Sequence, residues 1–380
     1  MVSPVTGDPG LTSDPTWPAV LGRLLAGEDL DTASTAWAMG EILSGAATSA
    51  QVAAFITALR AKGETAGEVD ALVTVMLQHA RLLDFGPAGA PVSLDVVGTG
   101  GDQAHTVNIS TMAALLCAAA GAPVVKHGNR AASSSTGTAD VLEQLGVVID
   151  LEPADIVTSV RRAGIGFCFA PTHHPAMRHA GPTRRELGIP TVFNILGPLT
   201  NPGGAPAALI GCANLALAPV MADVLSRRGV RAIVVRGEDG LDEISTAGPT
   251  RIWDVTLGTV RESVLDAADL GIPHTDRELL RGGESARNAE LLLATLAPGP
   301  SAGPDAARVD AIRDAVSVNA AAALVAHDAA VRAAEGQPTD DRPLMERIAG
   351  RLEQVRGVRE SGAALDVLNG WIAVTRELRR

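Results

Sequence analysis

The residues best suited to hold an anion lie between Leu94 and Gly146. There Gly98-Thr99-Gly100-Gly101-Asp102 is followed by Asn108-Ile109-Ser110-Thr111, by Lys126-His127-Gly128-Asn129-Arg130, and by Ser133-Ser134-Ser135-Thr136-Gly137. Glycine loops let backbone N–H groups approach phosphate oxygens because no Cβ stands in the way. A helix opening at Asn108 or Ser110 would aim its unpaired N–H groups and its dipole at the same charge. Lysine occurs only at Lys62 and Lys126, every other basic side chain being arginine. A lysine kept beside two glycine-rich loops points to a need for a compact point charge rather than a planar fork. Lys62, in a helix-terminal Lys-Gly-Glu, reads as a solvated C-terminal charge. The stretch as a whole suggests a phosphate site, although with 40 glycines in the chain the first loop alone reads equally as an ordinary turn. It is neither a dinucleotide fingerprint, since Gln103 stands where a further glycine is required, nor a P-loop, since no Gly-Lys-Ser/Thr follows.

The elements that must position these groups alternate. Leu94 to Val97 is a buried strand, Met112 to Ala120 a helix stopped by Gly121-Ala122-Pro123, Val124-Val125 a second strand that delivers Lys126 to its end, and Ala139 to Leu145 a helix. Val147-Val148-Ile149 reads as a strand, Pro153 to Ala163 as a helix, Ile165 to Ala170 as a strand and Ala176 to Leu187 as a helix starting behind Pro175. Ala208 to Gly211, Ala218 to Arg228 and Ala232 to Val235 repeat the unit. Thr250 to Val255 and Gly258 to Glu262 read as paired edge strands, and Glu284 to Leu296, Ala307 to Ala334 and Leu344 to Arg380 as helices, the last divided at Gly362. Such alternation builds a parallel sheet with ligand loops at the strand ends. Before it, Trp17 to Leu83 has only helical period, with capping-box spacings at Thr48/Gln51 and Thr65/Glu68. Its apolar stripes read as core, with a dimer face as the alternative.

With 380 residues, 46% of them hydrophobic, the chain can bury a sizeable core. A formal charge of −12 argues against general affinity for nucleic acid or an anionic membrane. Cys117, Cys168 and Cys212 sit singly in apolar runs and read as buried thiols of a reducing cytosol. Residues 1–14 read as a frayed tail without signal-peptide features, and no apolar run suits a bilayer. His173-His174 lacks a second cluster at metal-ligand spacing.

The motifs quoted above resemble the signature blocks of the anthranilate phosphoribosyltransferase family. Arg184-Arg185-Glu186-Leu187-Gly188, Phe193-Asn194-Ile195-Leu196-Gly197-Pro198-Leu199-Thr200-Asn201-Pro202 and Gly240-Leu241-Asp242-Glu243-Ile244-Ser245 match as well, and weaker similarity runs from about residue 15 to the C-terminus. The resemblance implies an α/β protein: a small helical domain over 15–86, with about 175–202 packing onto it, and a larger α/β domain with a mostly parallel sheet over 91–174 and 203–380. It implies transfer of phosphoribose from phosphoribosyl diphosphate to anthranilate, in tryptophan biosynthesis, by a cytoplasmic enzyme dimerised through the helical domain. Gly98, Gly101, Asp102, Thr106 and Asn108 to Thr111 (Ile109 and Ser110 included) would line the sugar donor. Lys126, His127, Gly128, Asn129, Arg130, Ala131, Ala132, Ser133, Ser134 and Thr138 would close around it. Gly98, Asn129 and Arg184 would hold anthranilate, Arg184 as a charge-assisted fork for its carboxylate. Ser110, Asp242 and Glu243 would hold two Mg²⁺ ions per subunit. On spacing alone Asp242-Glu243 reads as a solvated turn pair, and Arg184 as a helix-surface arginine.

The implied chemistry asks mainly for diphosphate stabilisation and positioning, since the aryl amine is already neutral at pH 7, so no catalytic acid or base is expected. Gln103 and His105 depart from the family, which places glycine and small polar residues there, and imply a stiffer loop with altered donor affinity. A pyrimidine nucleoside phosphorylase on the same architecture would lack Arg184 and the Asn-Ile-Leu-Gly-Pro block. A non-catalytic nucleic-acid-binding relative would show a basic face and lose the carboxylates.

Overall fold

The computed structural model describes residues 14–130 and 136–379, so Ala131, Ala132, Ser133 and Ser134, and nearly all of the expected tail, lie outside the described residues. Four helices come first: α1 Trp17–Leu25, α2 Thr32–Ser44, α3 Ser49–Lys62 and α4 Ala66–Gln78. Both expected capping boxes form, Thr48 with Gln51 and Thr65 with Glu68, each satisfying two otherwise orphaned N–H groups. Most of the helical stripes are core: Val20, Leu24, Ile42, Phe55, Ile56, Leu59, Val69 and Leu72 are buried in one cluster. Lys62 corrects an expectation. Its side chain is only 4% exposed and its ammonium donates to Glu68 at 2.9 Å and Asp29 at 2.7 Å. Glu68 also accepts the Leu30 N–H, so this lysine ties α3 to α4 and to the α1–α2 loop instead of facing water.

The α/β part runs β1 Leu94–Gly98, α5 Ile109–Ala119, β2 Val124–Gly128, α6 Thr138–Leu145, α7 Pro153–Ala163 and β3 Ile165–Phe169. Then come α8 Ala170–His173, α9 Gly181–Leu187, α10 Phe193–Leu199, β4 Ala207–Gly211, α11 Ala218–Arg227, β5 Arg231–Gly237, β6 Thr250–Asp254 and β7 Arg261–Leu265. The chain closes with α12 Ser285–Leu296, α13 Ala306–Ala334, α14 Leu344–Ser361 and α15 Ala363–Leu378. The seven strands lie in the order β3-β2-β1-β4-β5-β6-β7; the first five are parallel, and β6 and β7 form an antiparallel edge.

Side chains alternate across this sheet as its pleat requires. Leu94, Val96, Leu209, Ile233 and Val235 face the core under α5 and α13, whereas Ala208, Ile210, Ala232 and Val234 share the core of the helical bundle and α11. Ala320 to Ala323 of α13 are fully buried, the small side chains letting the helix lie close over β4 and α5. Ala180, Val192, Phe193, Ile195, Leu196 and Leu199 pack in the same cluster as α1 to α4.

Three expected elements differ. Val147-Val148-Ile149 is not a strand: β3 already pairs with β2, and the segment instead turns Val147 and Ile149 into the core while the Val148 N–H donates to Thr375 Oγ1 of α15. The helix expected from Ala176 is a 3₁₀ turn, Pro175–His179, followed by α9. The outer edge strand begins at Arg261 rather than Gly258, because Gly258 takes a positive φ of 89° in the preceding turn. All three cysteines are buried and free. Among the described residues no helix is long and apolar enough to cross a membrane.

Candidate active site

Strands β1, β2, β4 and β5 all end in glycine, Gly98, Gly128, Gly211 and Gly237. At two of them the reason is a carboxylate loop folded over the strand ends. A Cβ on Gly98 would lie 2.3 Å from Asp242 Oδ2, and one on Gly211 would lie 1.5 Å from the Asp242 carbonyl oxygen. The Gly100 N–H donates to Asp242 Oδ2 at 2.7 Å, and the Ser110 N–H at the start of α5 donates to the Glu243 carboxylate. Asn319 of α13 pins the loop from below, donating to the Ile244 carbonyl at 3.0 Å and accepting the Ile244 N–H at 2.9 Å. No spacing in the sequence points to Asn319; only the fold brings it there.

Burial, then repulsion from Asp102, pushes the Asp242 pKa above the usual carboxylate range; burial, then repulsion from Asp242, does the same to Glu243. Lys126 is not at the strand end. It lies mid-strand with 1% exposure, its ammonium donating to the Val96 carbonyl and reaching Ser110 Oγ at 3.3 Å. Burial lowers its pKa, opposed by Asp95 and Glu243. Crowded carboxylates with a hydroxyl beside them form a hard-oxygen set that gains from a divalent cation. Among the described residues no group of three or more His, Cys, Asp or Glu side chains is arranged to hold a metal ion by itself.

The loop from Thr99 to Asn108 is built on left-handed backbone. Gly100 and Gly101 take φ of 67° and 85°, and so do the non-glycine residues Gln103, at 56°, and His105, at 50°. The loop is zipped to a segment whose role the sequence did not announce. Thr106 bridges Arg281, the Gly282 N–H donates to the His105 carbonyl at 2.8 Å, and the Val107 N–H to the Leu280 carbonyl at 2.9 Å. Asn288 of α12 completes it, accepting the Gly283 N–H at 2.7 Å and donating to Asn108 Oδ1 at 3.1 Å. Asn108 is thus the N-cap residue of α5 by position, yet makes no side-chain cap bond. Gly282-Gly283 was the available signal.

On the helical side, Arg184 stacks over Phe193 at 5.2 Å, is half-buried, and pairs with no carboxylate among the described residues. Burial lowers its pKa. Nearby, His127 Nδ1 donates to the Gly197 carbonyl at 2.9 Å, His174 Nε2 to the Thr200 carbonyl at 3.0 Å, and His173 Nδ1 to the Arg81 carbonyl at 2.6 Å.

Residues 18–80 match the model of the glycosyl transferase family, helical bundle domain, and residues 90–341 that of the glycosyl transferase family, a/b domain. The chain is 55% identical to the anthranilate phosphoribosyltransferase of Salinispora arenicola over 96% of its own length and 98% of that protein. The belonging is decided by that match. The chain belongs to the anthranilate phosphoribosyltransferase family. The Saccharopolyspora erythraea member is 50% identical over 96% of this chain and 97% of its own. Among solved structures, the family member from Thermus thermophilus superposes with a TM-score of 0.80 at 36% identity, covering 94% of this chain and 99% of that one. The Saccharomyces cerevisiae member in complex with phosphoribosyl diphosphate and magnesium does so at 0.79 and 26% identity, covering 95% and 98%.

The residues expected from anthranilate phosphoribosyltransferase motifs fall into three groups. Gly98, Gly101, Asp102, Ser110, Asp242 and Glu243 gather around the strand ends, with Lys126 beneath. Thr138 and Thr111 meet at 3.5 Å between their hydroxyls behind that group, and Thr106 lies on the zipped loop. Others point elsewhere. Ile109 is core, Arg130 pairs with Asp140 at 3.0 Å and with Glu143 on α6 while lying over Phe169, and Asn129 is exposed, accepting the Arg130 N–H.

Proposed function

We infer that the region at the ends of β1, β4 and β5 is the catalytic centre of a pentosyltransferase. The protein transfers the 5-phosphoribosyl group of phosphoribosyl diphosphate to the amine of anthranilate, releasing diphosphate, a step of tryptophan biosynthesis. The observation that carries the site assignment is the convergence of the Gly100 N–H, Ser110, Lys126 and the buried Asp242–Glu243 pair in one place. The full-length match to phosphoribosyltransferases speaks against both a nucleoside phosphorylase and a non-catalytic nucleic-acid binder.

In this reading the glycine loop and the positive end of the α5 dipole face the diphosphate, and Lys126 supplies positive charge from below. Asp242, Glu243 and the Ser110 hydroxyl would hold two Mg²⁺ ions, which stabilise the charge growing on the departing diphosphate. Gly98, Gly101, Asp102, Thr106 and Thr138 line the sugar donor. Arg184 takes the anthranilate carboxylate bidentately, with Gly98 and Asn129 beside the ring, so the neutral amine faces the anomeric carbon. The amine's lone pair forms the C–N bond as the C–O bond breaks, and its proton leaves afterwards, so no side chain serves as a strong base. We also read the enzyme as a cytoplasmic homodimer joined through the helical domain; Leu25 on α1, 80% exposed, supports a covered apolar face there.

The test is loss of anthranilate fluorescence with magnesium and phosphoribosyl diphosphate. Losing a charge-assisted contact costs roughly 1.5 to 3 kcal/mol, about ten- to a hundredfold. Arg184→Ala is expected to raise the anthranilate KM by that factor, and Asp242→Asn with Glu243→Gln to weaken magnesium-dependent turnover. Intact magnesium dependence in the double variant overturns the metal assignment. Sedimentation tests the oligomer: Leu25→Glu should yield a monomer, and an unchanged dimer removes α1 from the interface.

A further inference from the structure

The central sheet is split at one seam. Every other neighbouring strand pair runs in register over five residues, but β1 and β2 are in ladder register only at Leu94–Val124. Beyond that point, backbone groups on the two strands take side-chain partners. The Val96 carbonyl accepts from Lys126 Nζ, the Val125 carbonyl accepts from Asn201 Nδ2 at 2.7 Å, and the His127 N–H donates to Asp95 Oδ1 at 3.3 Å. Asn201 Nδ2 also donates to Asp95 Oδ2 at 2.7 Å, while its Oδ1 accepts the Gly203 N–H at 2.8 Å. Asp95 is 2% exposed. The chain after Asn201 is pressed against β2: a Cβ on Gly203 would lie 2.5 Å from Val125 Cγ1.

We propose that Asp95 and Asn201 form a latch across this seam, acting as positioning residues that hold the Phe193 to Pro202 segment against β2. That segment carries Phe193, on which Arg184 stacks, and Gly197, which accepts from His127. Asp95 and Asn201 also line an open groove of about 520 Å³ together with Pro198, Leu199 and Val230. The latch therefore governs the aromatic-acid side of the cleft more than the diphosphate side, which is pinned separately through Asn319 and Asn288. This rests on Arg184 being the carboxylate anchor.

The experiment uses the full-length enzyme with Asn201→Ala, Asp95→Asn and the exchanged pair Asp95→Asn with Asn201→Asp. The Asn201→Ala variant is expected to raise the anthranilate KM about tenfold while the phosphoribosyl diphosphate KM stays within twofold, and to speed amide exchange in β2. Asp95→Asn sets two amide donors face to face, and the exchanged pair, which mends that contact but turns a carboxylate oxygen onto the Val125 carbonyl, should recover less than half of the Asp95→Asn loss. Equal change in both KM values, or an unmoved anthranilate KM in a cooperatively melting variant, overturns the positioning role. Unchanged β2 exchange overturns the latch itself, whether or not the parent enzyme transfers phosphoribose. A parent that transfers none defeats the functional reading and leaves exchange to judge the latch.

Discussion

Asp242 and Glu243 show how burial shifts the titration of an ordinary acidic pair. Their folded pKa values lie above the usual range because burial, with repulsion from Asp102 on Asp242 and from Asp242 on Glu243, disfavours the anions. A carboxyl that holds its proton more tightly when folded binds more protons in the native than in the unfolded state above about pH 4. Its stabilising contribution is therefore present in acid and is lost as pH rises through the folded value, with a slope of about 1.4 kcal/mol per pH unit for each retained proton. Magnesium with phosphoribosyl diphosphate should offset that loss. Urea melts of the substrate-free protein between pH 5 and 8 are expected to show it, and Asp242→Asn should flatten the slope and stabilise the protein at pH 8 while cutting turnover tenfold or more. Equal slopes in parent and variant would remove Asp242 as the titrating group. The identity of these carboxylates was legible in the sequence, but their burial was not: two adjacent acids after a glycine describe a solvated turn equally well, and only the Gly98 and Gly211 cradle decides. Lys62 failed for the same reason, since its partner Glu68 is recognisable as a capping residue but not as a buried ion-pair acceptor.

Elements were more legible than contacts. The apolar runs at β1 to β5 and the caps of α3 and α4 follow from composition and spacing, which are local. Val147 to Ile149 misled because a short β-branched run looks alike whether it pairs or merely plugs a core, and the partner edge had already been taken by β3. The zip between the Thr99 to Asn108 loop and Leu280 to Gly283 was invisible because it joins segments more than 170 residues apart, as the separation of 180 between Asn108 and Asn288 shows. Positive φ at Gln103 and His105 is a conformation that suits glycine: a side chain in the left-handed region costs roughly 1–2 kcal/mol. Gln103→Gly should therefore stabilise the folded loop at the same time as it frees the unfolded chain, leaving a net change under about 1 kcal/mol but a measurable shift in the phosphoribosyl diphosphate KM. Asn288→Ala should be worse, since it removes the bonds that Asn288 makes to the Gly283 N–H and to Asn108 Oδ1, at a cost of about 1–3 kcal/mol. A raised donor KM with an unchanged anthranilate KM is the expected signature in steady-state kinetics, and equal changes would mean the zip supports the whole cleft.

At the scale of the molecule, the helical bundle and the sheet meet through imidazoles. Among the described residues, His127 from β2, His173 at the end of α8 and His174 just after it each spend one ring nitrogen on a backbone carbonyl. The opposite nitrogens, Nε2 of His127, Nε2 of His173 and Nδ1 of His174, are buried with no partner. The rings of His127 and His174 lie 5.1 Å apart, so a proton on either would meet the other as well as an apolar wall. Burial, then repulsion between the rings, holds His127 down to about 3, and burial, opposed by the Thr200 carbonyl, holds His174 down to about 4. A histidine whose folded pKa is depressed binds fewer protons in the native state, so its contribution is full above the unfolded value near 6.5 and is lost as pH falls toward those values. This slope opposes that of the carboxylates, and the two can be separated because they sit on different sides of the cleft. His174→Gln, which keeps a donor for Thr200 but cannot ionise, should weaken the loss of stability between pH 6.5 and 4.5 while leaving the alkaline limb intact. Because His127 and His174 bond Gly197 and Thr200, in the segment whose Phe193 lies under Arg184, acid should also raise the anthranilate KM before it unfolds the protein. If the variant and the parent lose stability in parallel below pH 6.5, the imidazole junction is not what acid breaks, and the carboxylate pairs of the surface must be tested in its place.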